Sequence, residues 1–107
     1  MLASDDEILR EAQAWAEAGQ MFALATVIET WGSAPRPAGS HLIINRDGRF
    51  LGSVSGGCVE AEVITEAAEV IEHGAPRLLE FGVADEMAWQ AGLSCGGRIK
   101  VYIERVS

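Results

Sequence analysis

Basic residues are scarce in this chain of 107 residues, which has 8 Lys and Arg against 16 Asp and Glu and a formal net charge of −8. Nucleic-acid binding is therefore not expected, because phosphate backbones are bound by basic patches. Apolar runs long enough to cross a membrane are lacking, and no basic stretch precedes an apolar one at the start of the sequence. These absences predict a cytoplasmic protein without a membrane partner, whose two cysteines are reduced thiols rather than a disulfide.

The order of the sequence patterns predicts an α+β fold, in which a mixed sheet of about five strands carries two main helices. Ser4 and Glu7 form a capping box before a helical apolar stripe, and Asp47-Gly48 lies between two apolar runs, as in a β-hairpin. Strands are predicted near residues 21–30, 41–44, 49–52, 77–83 and 98–106, helices near 4–18 and 57–73, and an irregular segment at 84–97.

Both cysteines lie beside glycine pairs, in Ser55-Gly56-Gly57-Cys58 and in Ser94-Cys95-Gly96-Gly97. Glycine pairs let the backbone approach a ligand closely and expose N–H groups next to the thiol. Two such segments therefore indicate a pocket for an anionic or sulfur-seeking ligand. The alternative is that the glycine pairs only form turns, and that the cysteines are small, inert core residues.

The first of these segments leads directly into the second predicted helix, and we expect Cys58 in the first turn of that helix. Free N–H groups and the positive end of the helix dipole meet there, which lowers the pKa of a thiol and favours the binding of oxyanions. Glu60 lies in the same turn and is a further candidate site residue. Its alternative role is the ordinary one of an acidic side chain that compensates the helix dipole.

Arg36 is the candidate clamp for an anionic group, because Pro35 and Pro37 stiffen the loop that carries it. A solvated loop arginine is the alternative. A zinc site made from Cys58, Cys95 and a histidine lacks the spacing of paired ligands. Nucleotide binding has no motif support, since neither a Gly-x-Gly-x-x-Gly unit nor a Walker sequence is present.

Three stretches of the sequence, taken together and in this order, resemble a known family. They are Thr30-Trp31-Gly32-Ser33-Ala34-Pro35-Arg36-Pro37-Ala38-Gly39, Gly52-Ser53-Val54-Ser55-Gly56-Gly57-Cys58-Val59-Glu60 and Gly92-Leu93-Ser94-Cys95-Gly96-Gly97. The resemblance is to the XdhC/CoxI family, whose members are accessory proteins for molybdenum hydroxylases such as xanthine dehydrogenase and aerobic carbon monoxide dehydrogenase. It covers about residues 20–106 of the chain.

This resemblance implies a chaperone that binds molybdenum cofactor (molybdopterin) transiently, supports its sulfuration and inserts it into an apo molybdenum hydroxylase. Such a protein is a cofactor carrier rather than a turnover enzyme. The cysteine-bearing loops of the family correspond to Cys58 and Cys95, which would contact the metal. The residues expected to bind the cofactor are Ser55, Gly56, Gly57, Cys58, Glu60, Ser94, Cys95, Gly96, Gly97 and Arg36.

Longer members of the family add a C-terminal Rossmann-like domain. We expect residues 1–107 to form a single XdhC/CoxI-like domain without it, so that a separate Rossmann-domain subunit or a homodimer would close the pocket. A cysteine desulfurase is the further partner that sulfuration implies. Two other functions stay open from the sequence: a thiol redox or persulfide relay that uses Cys58 and Cys95, and a small acidic protein-interaction domain.

Overall fold

The computed structural model of the chain describes residues 4–31, 37–54, 59–82 and 98–106. The helices are α1 (Asp5–Glu17) and α2 (Glu60–His73), and the strands are β1 (Phe22–Trp31), β2 (His41–Asn45), β3 (Phe50–Gly52), β4 (Arg77–Gly82) and β5 (Arg98–Val106). The predicted α+β fold, with five strands and two helices, is confirmed. The irregular segment predicted at 84–97 lies outside the described residues.

The five strands form one sheet in the order β3–β2–β1–β5–β4, and each pair of neighbours is antiparallel. The sheet is thus antiparallel, not mixed as the sequence predicted. Helix α2 connects β3 to β4, and these two strands run in the same direction. They occupy opposite edges of the sheet, however, so they do not form the parallel pair that a helical crossover produces between neighbouring strands.

The two helices lie on opposite faces of the sheet, and the alternation of side chains along β1 shows this directly. Ala23 and Ala25 belong to the hydrophobic cluster that contains the buried residues of α2. Phe22 belongs to a second cluster, with Ile8 and Trp15 of α1. Because successive side chains of a strand point to opposite faces, β1 is covered on both sides. Helix α1 contacts β2 and β3, whereas α2 contacts β1, β5 and β2.

Helix α1 begins and ends where its local signals predict. The backbone N–H of Glu7 donates to the Ser4 hydroxyl at 3.3 Å, and that hydroxyl donates to the Glu7 carboxylate at 3.2 Å. The predicted serine cap is therefore confirmed. The second bond to Glu7 comes from the Ser4 hydroxyl, whereas a full capping box uses the backbone N–H of the serine. The helix ends at Glu17, and Gly19 follows with φ +75°, a backbone conformation that favours glycine.

Helix α2 ends under the side chain of an arginine from β5. Gly74 follows the helix with φ +79°, and its N–H donates to the carbonyl oxygen of Val70 at 2.8 Å. The guanidinium of Arg105 lies over Gly74, so that a Cβ at this position would be 2.8 Å from Cζ of the arginine. The same guanidinium donates to the carbonyl oxygen of Ile71 at 3.4 Å. Arg105 thus contacts the C-terminal end of α2, where a cation is favourable.

Gly74→Ala should lower the free energy of unfolding by more than the matched change Gly19→Ala. Both glycines have positive φ, which costs alanine about 1–2 kcal/mol. Nothing lies within 4 Å of a Cβ at Gly19, whereas a Cβ at Gly74 displaces Arg105 from Ile71 and adds about 0.5–1.5 kcal/mol. Urea unfolding of both variants, repeated in an Arg105→Ala background, measures the difference. A difference that persists without Arg105 would contradict this explanation.

Candidate functional site

Glu60 is the one predicted site residue within the part of the chain that the structure describes. The other residues expected to bind the cofactor lie outside the described residues: Arg36, Ser55, Gly56, Gly57, Cys58, Ser94, Cys95, Gly96 and Gly97. Their roles stay predictions. What the structure shows is where the described residues that flank them lie and how these flanks are held.

The flanks of the three candidate segments (32–36, 55–58 and 83–97) extend from the sheet in the same direction, but they do not all leave it at the same level. Trp31, which precedes the segment with Arg36, is paired with Arg98, which follows the segment with Cys95. Gly82, at the other side of the Cys95 segment, is also paired with Arg98. Strand β3 runs in the same direction as β1 but finishes earlier, shortly before the segment with Cys58. Its last residue, Gly52, is paired with Leu42, and Leu42 is paired with Ala25, six residues before Trp31. The antiparallel topology therefore directs these segments, which are distant in sequence, away from the sheet in the same direction.

The Glu60 carboxylate bridges the two flanks of segment 55–58. Its Oε2 accepts a hydrogen bond from the Ser53 hydroxyl at 2.8 Å and another from the backbone N–H of Val54 at 2.9 Å. Ser53 and Val54 are buried, with 3% and 0% of their surface exposed, and Glu60 is half-buried. The bridge was not predicted, because no local pattern links a serine to a glutamate seven residues later. It depends on the end of β3 meeting the start of α2.

Helix α2 begins later than the sequence predicts. Its first residue is Glu60, and the preceding N-cap residue, Val59, has φ −127° and ψ 10°, outside the helical region. The predicted helix start near residue 57 is therefore wrong, and Cys58, which was expected in the first turn, lies outside the described residues. The side chain of Val59 makes no capping hydrogen bond and is buried in the core instead. The start of the helix is thus determined by burial of Val59 and by the bridge from Glu60, not by a local capping sequence.

Gly52 directs the chain from β3 toward segment 55–58. Its φ is +100°, and a Cβ at this position would overlap the carbonyl oxygen of His41 and lie 2.8 Å from Cδ1 of Ile8. The same carbonyl oxygen accepts a hydrogen bond from the N–H of Ser53 at 3.0 Å. Only glycine fits this close approach of two backbones. Gly52 is therefore required where β3 leaves the sheet, immediately before the Glu60 bridge.

The C-terminal flank of the Arg36 segment is also held against the sheet. The N–H of Gly39 donates to the carbonyl oxygen of Val27 at 2.7 Å. The N–H of Val27 donates to the carbonyl oxygen of Ser40 at 2.9 Å. The Ser40 hydroxyl donates to the carbonyl oxygen of Pro37 at 2.7 Å. These bonds order residues 37–40 beside Val27 of β1.

The histidines of the zinc alternative lie far apart in the fold. His41 opens β2, and its Nδ1 is 3.2 Å from the hydroxyl of Thr26. His73 is at the C-terminal end of α2, 3.2 Å from the Glu69 carboxylate. Within residues 4–31, 37–54, 59–82 and 98–106, no group of three His, Cys, Asp or Glu residues could hold a metal ion. In the same ranges, no helix has the length and hydropathy that a membrane span requires.

A cavity of about 420 Å³ lies between α2 and β4. Leu79 and Phe81 form part of its apolar lining, and Glu62 and Glu66 line it from the helix. Glu66 also pairs with Arg77 at the side of this cavity. An anionic cofactor is not favoured beside the Glu62 carboxylate, because like charges repel at short range. The cavity is therefore poorly suited to an anionic ligand.

Comparison with known proteins shows the family to which the chain is related. The model of the XdhC and CoxI family matches residues 15–82, which include β1, β2, β3, α2, β4 and the glycine–cysteine segment 55–58. This chain belongs to the XdhC and CoxI family. The resemblance inferred from the three sequence stretches is thus confirmed.

Two relatives of this chain have names that refer to molybdenum cofactor or to xanthine dehydrogenase. The molybdenum cofactor insertion chaperone PaoD of Escherichia coli K12 is 36% identical over 99 residues, which are 92% of this chain. A protein of Bacillus subtilis 168, named as a probable subunit of xanthine dehydrogenase, is 34% identical over 86 residues, 78% of this chain. The chain spans 31% of the length of the first protein and 26% of the second.

The fold is also found in a solved structure of a related protein. A chain from Bacillus halodurans, described as a xanthine dehydrogenase, superposes with a TM-score of 0.78 and 30% sequence identity. The match covers 92% of the present chain and 30% of the Bacillus halodurans chain. The architecture described above is therefore shared with one part of a longer protein.

Proposed function

We propose that this XdhC and CoxI domain binds molybdenum cofactor and delivers it to a molybdenum hydroxylase. The observation that carries the proposal is that the three candidate segments extend from the sheet in one direction, with the Arg36 and Cys95 segments flanked by the paired Trp31 and Arg98, in a chain related to a cofactor insertion chaperone. In this proposal Arg36, Cys58 and Cys95 act at one site. The protein is a carrier and maturation factor, and it does not turn over a substrate of its own.

The donor set suits the chemistry of the proposed cargo. Molybdenum cofactor has a phosphate, a dithiolene and a metal with oxo or sulfido ligands, and it supplies the redox centre of its client enzyme. Thiolates of Cys58 and Cys95 are soft donors for such a metal. The N–H groups of Gly56-Gly57 and Gly96-Gly97, with the hydroxyls of Ser55 and Ser94, are donors for the pterin and phosphate. Arg36 is suited to a bidentate contact with an anionic group.

The finer parts of the proposal concern the partners. The cofactor is held transiently, is sulfurated with sulfur from a cysteine desulfurase, and is then passed in the cytoplasm to an apo enzyme of the xanthine dehydrogenase or carbon monoxide dehydrogenase type. A separate Rossmann-domain subunit or a second copy of the chain completes the pocket. The resemblance to the family and the presence of the two cysteines motivate these steps, and each can be tested separately.

The proposal is tested by binding of the cofactor to the purified, reduced chain. Molybdenum cofactor released anaerobically from a molybdoenzyme is mixed with the protein, and co-elution is measured by gel filtration. We expect stoichiometric co-elution with the wild type and at least about 10-fold weaker binding, about 1.4 kcal/mol, for Cys58→Ala and for Cys95→Ala. Thr65→Ala, an exposed change on α2, serves as the control and should bind like the wild type.

Two results would contradict the carrier function. One is a folded wild-type chain that does not bind the cofactor, and the other is undiminished binding by both cysteine variants. Mild oxidation then tests the relay alternative, because a disulfide between Cys58 and Cys95 is detected by mass spectrometry of the non-reduced peptides. Partner binding that survives replacement of both cysteines by serine would favour the interaction domain.

A further inference from the structure

We infer that Glu60 is a positioning residue: its carboxylate holds segment 55–58 in place for the cofactor and does not itself bind the cofactor. This inference rests on the proposed function, because it gives segment 55–58 the role of a cofactor-binding loop. It changes the role of Glu60 from the ligand that the sequence suggested to a support for the neighbouring ligand, Cys58.

The first argument is that two hydrogen bonds of Glu60 run to buried residues of the protein. Both described donors, the Ser53 hydroxyl and the Val54 N–H, bind the same oxygen, Oε2, at 2.8 and 2.9 Å. Hydrogen bonds to a charged acceptor are stronger than those between neutral groups. The Val54 N–H belongs to a fully buried residue, so removal of its acceptor would leave a buried donor unpaired. The carboxylate therefore has a structural task that does not need a ligand.

The second argument is that the bridge closes a short and glycine-rich stretch of chain. Val54 and Glu60 are six residues apart, and Gly56 and Gly57 lie between them. Glycine loses more conformational freedom on ordering than any other residue, so a glycine pair needs its ends fixed if a neighbouring thiol is to be held in one place. The core also holds both ends of this stretch, because Val54 before it and Val59 after it are buried in the cluster that contains α2. The bridge and the core together hold the flanks of the segment.

The inference is tested first without any cofactor, on three variants of the full chain. Glu60→Ala removes the acceptor, Glu60→Gln keeps a carbonyl oxygen that can accept both bonds, and Glu62→Ala is an exposed acidic control on the same helix turn. Amide hydrogen exchange by NMR should be at least about 10-fold faster at Val54 in Glu60→Ala, and close to the wild-type rate in the other two variants. Backbone order parameters of segment 55–58 should fall in Glu60→Ala alone.

The same variants are then compared for cofactor retention by gel filtration. We expect Glu60→Ala to bind at least about 10-fold more weakly, about 1.4 kcal/mol, and Glu60→Gln to recover most of the affinity. Equal losses in Glu60→Gln and Glu60→Ala, with Val54 still protected in Glu60→Gln, would identify a direct ligand and overturn the inference. Unchanged exchange and order parameters in Glu60→Ala would overturn it as well. Failure of the wild type to bind the cofactor would instead refute the proposed function, and the NMR results would still decide whether Glu60 holds the segment.

Discussion

Gly52→Ala should leave the chain largely unfolded, or lower its free energy of unfolding by more than about 3 kcal/mol. Two costs add at this position. The positive φ of +100° costs a residue with a Cβ about 1–2 kcal/mol. The new Cβ would also overlap the His41 carbonyl oxygen, which is part of the β2 backbone and cannot turn aside as a side chain does. Ile8 of α1 lies 2.8 Å from the same point.

The pairing of β3 with β2 is the feature that this substitution breaks. Leu42 and Gly52 are register partners, and the overlapped carbonyl oxygen also accepts the Ser53 N–H. Relief of the overlap therefore separates β3 from β2 and moves Ser53 away from Glu60. We expect the loss of stability to be accompanied by loss of cofactor binding in any fraction that stays folded.

Gly48→Ala is the matched control for Gly52→Ala, because it lies in the same hairpin. Its φ is +85°, and nothing lies within 4 Å of a Cβ there. Alanine at this position should cost only the backbone strain of about 1–2 kcal/mol. Urea unfolding followed by far-UV circular dichroism measures both variants. Equal unfolding midpoints for the two would show that the overlap with His41 is relieved without cost, and would contradict the prediction.

Trp15→Ala should lower the free energy of unfolding by about 3–5 kcal/mol, the usual cost of removing a large aromatic side chain from a core. Trp15 is 8% exposed, and its ring lies edge-on to that of Phe22, with the centroids 5.5 Å apart and the planes at 74°. The described cluster under α1 contains four buried residues, and the substitution removes its largest member. Helix α1 would then be held to the sheet mainly by Ile8.

Leu9→Ala is the control for this second prediction, since it lies on the same helix and is 54% exposed. It should change the free energy of unfolding by less than about 0.5 kcal/mol. Urea unfolding gives the total effect of each variant, and amide exchange shows whether α1 alone is loosened or the whole sheet. A loss in Trp15→Ala no larger than in Leu9→Ala would mean that α1 is not docked through this ring.

Local signals in the sequence were sufficient wherever a structure depends on neighbours along the chain. The serine cap at Ser4 starts α1, and the hairpin turn forms at Asp47-Gly48, where the Asn45 side chain accepts the N–H of Asp47 at 3.0 Å. Gly74 ends α2 in the left-handed conformation. Each of these features needs only side chains and backbone groups within a few residues, so a sequence pattern specifies it. The family was likewise evident from short stretches that keep their order.

The candidate site was only partly predictable from sequence, because its contacts join residues from different helices and strands. The sequence predicted segments 55–58 and 94–97 as sites of close backbone approach, from their residue types alone. It placed Cys58 in the first turn of α2, whereas that helix begins at Glu60. The difference arises because Val59 is buried against the core and the Glu60 carboxylate binds back to Ser53 and Val54. Neither interaction is visible in the spacing of residue types.

By itself, the sequence determined the α+β class, the caps and turns, the family and the candidate ligands. The tertiary structure alone decided that the sheet is antiparallel, that three segments distant in sequence extend from it in one direction, and that Gly52 must be glycine. The physical reason is the range of the interactions. Strand directions, the overlap at Gly52 and the bridge from Glu60 all depend on groups that meet only when β2, β3 and α2 are packed together.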